Sequence, residues 1–75
     1  MLKRHPILTT FGTNVRRQRE ARDLTQEVLA EKSDLHPTYI SGIECGARNP
    51  SIISIARIAK GLGVTVSDLT RGVRA

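Results

Sequence analysis

The chain has 75 residues, 39% hydrophobic and 25% charged, a balance typical of one small folded domain and too apolar for a disordered segment. The single cysteine, Cys45, excludes an internal disulfide framework and the usual zinc-binding patterns. The longest stretch without a charged side chain, residues 5–15, is too short to cross a bilayer. We therefore expect a soluble domain with no metal site, no cofactor and no membrane segment.

The charge balance favours a polyanionic partner without establishing one. The formal net charge is +5, and nine of the twelve cationic side chains are arginine, whose planar guanidinium suits phosphates and base edges. Cations crowd the first third of the chain and its tail, whereas six of the seven acids lie between Glu20 and Glu44. This distribution predicts a folded core with one positive face, although a basic surface also keeps many small proteins soluble.

The first third of the chain predicts a short lead-in and two helices. Residues 1–8 are expected to be a flexible lead-in, with Pro6 too early to lie inside a helix. A helix is predicted from Phe11 to Arg22 with Thr10 as its N-cap. A second helix, over residues 26–32, is expected to follow Thr25 as N-cap.

Single residues indicate the turn after the second helix and the start and end of the third. Asp34 tolerates the left-handed backbone that such a turn often needs. Pro37 fits the first position of a helix, where its missing N–H costs nothing. Ile40 and Ile43 form the apolar side of that helix, and Gly46 is expected to end it.

Two further helices complete the prediction. The fourth follows the Asn49-Pro50-Ser51 turn and ends at Gly63, and its predicted apolar face comprises Ile52, Ile55, Ala56, Ala59 and Leu62. A short fifth helix is expected after Ser67 as its cap. No alternating pattern is longer than residues 64–66, so the sequence predicts an all-α, compact five-helix bundle in a single domain over residues 1–75.

Residues 25–46 have the spacing of a helix-turn-helix, two short helices joined by a tight turn. In the second of these helices Thr38, Tyr39, Ser41 and Gly42 point away from the Ile40 and Ile43 side. This leaves a polar or small outer face on the half of the helix that meets base edges in this motif. The other interpretation is an ordinary helical hairpin with a solvated outer face.

Four motifs carry a resemblance to a known family. They are Thr25-Gln26-Glu27, Tyr39-Ile40-Ser41-x-Ile43-Glu44, Arg48-x-Pro50-Ser51 and Ile58-Ala59-x-x-Leu62-Gly63-Val64. Over about 60 of its 75 residues the chain is similar to the Cro/C1-type (XRE) helix-turn-helix family of phage repressors and bacterial regulators. Within that family it looks most like the controller proteins of restriction–modification systems. The resemblance implies a lambda-repressor-like DNA-binding fold.

The resemblance also implies roles for individual residues. Base or groove contacts are expected from Thr38, Tyr39, Ser41, Pro37, Arg48 and Asn49. Phosphate contacts are expected from Gln26, Thr25, Arg16, Arg17 and His36, where His36 has helix capping as an alternative role. Pro37 can contribute only an apolar or steric contact. Cys45 and Asp34 also depart from the family's common pattern. Cys45 removes a possible phosphate contact, and Asp34 adds a negative charge near the DNA.

Two further assignments concern structure. Arg19 and Glu44 are expected to pair and so tie the first helix to the recognition helix. A homodimer is expected because one short recognition helix reads few base pairs, whereas two related by a two-fold axis double the contacts. Its interface is predicted to comprise Ile53, Val66, Leu69 and Val73.

The sequence thus predicts a non-enzymatic transcriptional regulator in the cytoplasm of a prokaryote or a phage-infected cell. Its partners would be double-stranded DNA and a second copy of itself, with no small-molecule ligand. Two alternatives remain: an antitoxin-like or adaptor module that binds a protein partner, and a non-specific nucleic-acid packaging protein. Preference for one DNA sequence over unrelated duplexes distinguishes the first interpretation from both.

Overall fold

The computed structural model describes residues 5–75. This part of the chain contains five α-helices and no β-strand, which confirms the predicted fold class. The helices are α1 (Pro6–Glu20), α2 (Gln26–Ser33), α3 (Pro37–Glu44), α4 (Ile52–Leu62) and α5 (Val66–Leu69). Residues 1–4 of the predicted lead-in lie outside the described residues.

Helix α1 begins earlier than the sequence pattern suggested. The prediction of a loose segment through residue 8 with Thr10 as N-cap is wrong, since Pro6 is the first residue of the helix. The Nδ1 atom of His5 accepts a hydrogen bond from the backbone N–H of Ile7 and so caps the helix. Proline is favoured at this position because its ring fixes a helical φ and it has no N–H to leave unpaired.

The helix-turn-helix is formed as predicted by α2, a short turn and α3. The hydroxyl of Thr25 accepts from the N–H of Val28 and caps α2. Asp34 ends α2 in the left-handed conformation, with φ of 55°. Pro37 is the first residue of α3, as its fixed φ predicts.

The last two helices show one confirmed and one corrected cap. Ser51 caps α4 by accepting from the N–H of Ser54, and Gly63 ends it with a φ of 72°. The cap of α5 is Thr65 rather than the predicted Ser67. Thr65 and Asp68 form a reciprocal capping box, in which each side chain accepts from the other residue's backbone N–H.

One aliphatic core holds the helices together. Packing joins α2 to α4, and α3 to both α1 and α2. Fully burying one leucine or isoleucine side chain contributes about 2 kcal/mol, so this core is the main stabilising element of the fold. The buried apolar residues are Phe11, Val15, Leu29, Ala30, Ile40, Ile43, Ile58, Ala59, Leu62 and Leu69.

The apolar face predicted for α4 is rotated relative to the buried one. Ile52 is 68% exposed and Ala56 is also exposed, so the assignment of these two residues to the core-facing side is wrong. Ile58 is fully buried instead and joins Ala59 and Leu62 in the core. The outward face of α4 therefore carries apolar side chains, which the helical spacing alone assigned to the interior.

Candidate DNA-binding surface

The outer face of α3 presents the hydroxyl side chains that the sequence singled out. Thr38 and Ser41 are exposed, while Ile40 and Ile43 on the opposite side are buried. Thr38, Ser41 and Gly42 share one face because residues three and four apart are neighbours on a helix. Hydroxyls at these positions can donate to or accept from base edges in a major groove.

The start of α3 is fixed by His36. Its Nδ1 atom accepts a hydrogen bond from the backbone N–H of Thr38 at 3.1 Å. Because Pro37 has no N–H, the amide of Thr38 is the first donor of the helix, and His36 satisfies it. The capping role that the sequence left open for His36 is thus present, and a phosphate contact by the same residue remains a prediction.

A buried ion pair anchors α3 to α1. The guanidinium of Arg19 donates to both carboxylate oxygens of Glu44, with Nε 2.7 Å from Oε2 and Nη2 3.1 Å from Oε1. The same guanidinium donates to the backbone carbonyl of Leu24 at 2.6 Å. Hydrogen bonding to Glu44 is the largest influence on Arg19 and raises its pKa above the ordinary value. The predicted structural pair is confirmed.

Gln26 belongs to the same network. Its Nε2 donates to Oε1 of Glu44 at 3.1 Å, a contact that joins the start of α2 to the end of α3. The sequence indicated only a phosphate donor at this position. The side-chain amide of Gln26 has a second N–H that can donate to a phosphate, and this contact remains a prediction. Thr25, the other predicted phosphate contact at this helix end, is exposed, and its hydroxyl caps α2.

Tyr39 lies between the exposed face of α3 and the core. Its ring is half-buried and packs against the apolar cluster, and its hydroxyl is 3.5 Å from Oγ of Ser54. Pro37, beside it in the chain, is also half-buried. The pattern of α3 gave no signal for Ser54, because that residue comes from α4 and meets Tyr39 only in the folded chain.

Arg48 and Asn49 are exposed in the loop that follows α3. The backbone N–H groups of Ala47 and Arg48 both donate to the carbonyl of Gly42, at 2.8 and 3.2 Å. These two bonds fold the loop back over the end of α3. Arg48 therefore begins close to the face that carries Thr38 and Ser41, as the predicted DNA contact requires.

The two predicted phosphate contacts on α1 have different surroundings. Arg16 forms an exposed ion pair with Glu20 at 3.3 Å. Arg17 instead lines a cavity together with Asp68 and Arg71, on the side of α1 that meets α5. Arg17 is thereby separated from Arg19, which faces α3. Both arginines are exposed, and both phosphate contacts remain predictions.

The predicted dimer patch needs one correction. Leu69 has no exposed surface in the subunit and belongs to its core, so its side chain cannot contribute to an intermolecular contact. Ile53 is 64% exposed, and Val66 and Val73 are half-buried. Ile52, a residue expected in the core from helical spacing, is exposed beside Ile53 and extends the apolar surface of α4.

Comparison with known proteins identifies the family. Residues 15–69 match the family described as Helix-turn-helix, and this segment contains α2, α3, α4 and α5 in full together with the C-terminal part of α1. The chain belongs to the helix-turn-helix family. Its relatives include the control protein C.BamHI of Bacillus amyloliquefaciens, 50% identical over 84% of this chain and 79% of that protein. The control protein C.MunI of a Mycoplasma species is 45% identical over 84% of this chain and 86% of that protein.

Two of the solved structures that this chain resembles are also of controller proteins. The restriction–modification controller protein C.AhdI of Aeromonas hydrophila superposes with a TM-score of 0.85 and 37% identity, covering 87% of this chain and 98% of that one. The controller C.Esp1396I, solved as a tetramer on its natural 35 base-pair operator, superposes with a TM-score of 0.83 and 38% identity. That match covers 92% of this chain and 91% of the controller. Within the helix-turn-helix family, this chain is similar to restriction–modification controllers.

The described residues contain neither a metal-binding cluster nor a membrane-spanning helix. Among residues 5–75 there is no group of three or more histidine, cysteine or acidic side chains arranged to hold a metal ion. In the same part of the chain no helix is both long and apolar enough to cross a membrane.

Proposed function

We propose that this protein is a sequence-specific regulator of transcription that binds double-stranded DNA through α3. The observation that carries the proposal is the outer face of α3, where exposed hydroxyls lie beside an arginine-bearing loop on a helix fixed at both ends. His36 caps the start of this helix, and the Arg19–Glu44 pair anchors its end. Rigid placement matters because base contacts discriminate only when their donors and acceptors are correctly positioned.

We also propose that the protein binds a pseudo-palindromic operator as a homodimer, with the 75 residues acting as one DNA-binding domain. The exposed Ile52 and Ile53 on α4 support this, since neighbouring apolar side chains on a surface mark interaction sites. Val66 and Val73 would border the interface. C.Esp1396I has been solved as a tetramer on operator DNA, which supports multiple copies on DNA here as well.

The proposed biological role is control of a restriction–modification operon from the cytoplasm of a prokaryotic cell. The similarity to C.BamHI and C.MunI supports this role. The proposed action is binding rather than catalysis, which the membership in the helix-turn-helix family supports.

Selection of bound duplexes from a random pool tests the proposal. A sequence-specific dimer selects two related half-sites about one helical turn apart, in inverted orientation. A single half-site would contradict the dimer. An enriched pool with no common sequence would contradict sequence-specific binding and favour the packaging interpretation, whereas no retained DNA would favour the protein-binding module.

A further inference from the structure

Gly42 is an unexpected residue in the middle of the recognition helix. Glycine in a helix interior is less favourable than alanine, because it has more backbone freedom to lose on folding. Its backbone is ordinary helix, so no positive φ requires glycine here. A reason for glycine must therefore lie in the space around it.

That space is filled by Arg48. A Cβ atom built on Gly42 would lie 2.5 Å from Cγ of Arg48, 3.3 Å from its Nε and 3.4 Å from its Cδ. The stem of the arginine thus runs across the bare backbone of Gly42. Because the N–H of Arg48 is itself bonded to the carbonyl of Gly42, the backbone of Arg48 cannot simply move away to make room.

The guanidinium of Arg48 is not used within the described residues. No hydrogen bond or ion pair in residues 5–75 involves it, and the residue is exposed. Arg19, by contrast, is bonded to Glu44 and Leu24. The stem of Arg48 is therefore positioned by packing while its charged head is available to a partner.

We propose that Gly42 is a positioning residue for DNA recognition, which lets Arg48 lie flat on α3 and reach a guanine in each half-site. Gly42 shares its helix face with Thr38 and Ser41, so the guanidinium is delivered beside the hydroxyls that enter the groove. Guanine presents two acceptors, O6 and N7, in the major groove, and arginine binds both. This inference rests on the proposed function and adds to it a named base and a residue that need not touch DNA.

The test uses Gly42→Ala, Arg48→Ala and the double variant on the selected operator. We expect Arg48→Ala to weaken operator binding by about 10- to 100-fold, as for loss of one bidentate base contact. Gly42→Ala is expected to weaken it by about 10-fold, although alanine favours the helix and should leave thermal stability unchanged or higher. The double variant should bind no more weakly than Arg48→Ala, because Gly42 acts only through Arg48.

Replacing operator guanines one at a time with 7-deazaguanine, which lacks N7, identifies the base. One guanine in each half-site should be sensitive with the unmodified protein and insensitive with Arg48→Ala and Gly42→Ala. Lys60→Ala, which removes an exposed cation from the last turn of α4, controls for lost charge and should retain the sensitivity. If Gly42→Ala fails to fold, the comparison of the unmodified protein with Arg48→Ala still tests whether Arg48 contacts a guanine.

Several results would overturn the inference. Additive losses in the double variant would show that Gly42 acts independently of Arg48. Equal loss of binding to operator and scrambled DNA in Arg48→Ala, with no sensitive guanine, would show a phosphate contact. If the unmodified protein has no operator preference, the proposed function fails and this inference fails with it. An operator preference with additive losses contradicts the inference alone.

Discussion

Arg19 of α1 and Glu44 of α3 are bonded through both carboxylate oxygens, with side chains only 12% and 4% exposed. The pair fixes the recognition helix against the helix that precedes the motif, and Gln26 extends it to α2. The proposed DNA recognition by α3 would therefore depend on an interaction on the inner side of the helix, opposite the exposed face that carries Thr38 and Ser41.

Removing one partner of this pair should destabilise the fold. We expect Arg19→Ala or Glu44→Gln to lower the free energy of unfolding by about 3 kcal/mol, because the remaining polar group stays buried with its partner lost or weakened. Urea denaturation followed by circular dichroism measures the loss. Arg16→Ala, which breaks an exposed pair with Glu20, is the matched control and should cost less than about 1 kcal/mol. An unchanged urea midpoint for both Arg19→Ala and Glu44→Gln would refute the anchoring role.

The cap of α3 can be tested at His36. We expect His36→Ala to lower the free energy of unfolding by about 1 kcal/mol, because the N–H of Thr38 loses its acceptor. Asparagine is a good N-cap, so His36→Asn should restore most of this stability. Operator affinity that stays low in the stable Asn variant would indicate an added phosphate contact by His36. Equal stability of all three proteins would contradict the capping role.

The hydroxyls of α3 should determine discrimination rather than stability. Both Thr38 and Ser41 are exposed, so we expect Thr38→Ala or Ser41→Ala to fold normally and to reduce the operator-to-random affinity ratio by about 5- to 10-fold. Fluorescence anisotropy on both duplexes gives the ratio. Thr13→Ala removes a hydroxyl that bonds the carbonyl of Thr9 on α1 and should leave the ratio unchanged. Equal losses on the two duplexes would count against base reading.

A charge placed in the proposed dimer interface should weaken self-association. Ile53→Glu should shift the protein toward monomer by at least about 10-fold in the dissociation constant, because a charge would be buried without a partner. Sedimentation analysis measures this shift. Val28→Glu, at an exposed apolar residue of α2, is the control and should leave the equilibrium unchanged. A shift with Val28→Glu but none with Ile53→Glu would place the interface elsewhere.

Acid stability should depend on the cap of α5. Two hydrogen bonds from Thr65 lower the pKa of Asp68 below its ordinary value of 3.8. The bond from the Thr65 backbone has the larger effect, and the bond from its side chain has the smaller one. A lowered pKa in the folded state means that the stabilisation is complete above the unfolded pKa and is lost as the pH falls through the folded one. The thermal midpoint should therefore fall on acidification below about pH 4, and fall less in Asp68→Asn. Identical pH profiles would argue against this contribution.

Local signals in the sequence were sufficient where a single residue dictates backbone geometry. Thr25, Asp34 and Pro37 each act within one turn of the chain, and all three have their predicted positions at helix ends. The same kind of reasoning failed for Pro6, because no pattern distinguished a loose lead-in from a first helical turn capped by His5.

Features that depend on packing between helices could not be read from the chain. The periodicity predicted for α4 is correct, but the predicted rotation is wrong, because helical spacing alone places the exposed Ile52 in the core. The sequence pattern places Leu69 in the dimer patch because it does not show that α1 and α4 pack against α5 and bury this residue. The contact between Gly42 and Arg48 had a partial signal, a glycine inside a predicted helix, yet the path of an arginine side chain six residues later required the folded structure.

Fluorescence anisotropy on DNA from immediately upstream of the gene tests the central claim most directly. The titration includes a scrambled competitor and a series of salt concentrations. We expect a preference of about 10³-fold or more, with the logarithm of affinity falling linearly and steeply with the logarithm of salt concentration. Weak binding that does not distinguish the operator from the scrambled duplex would contradict the account.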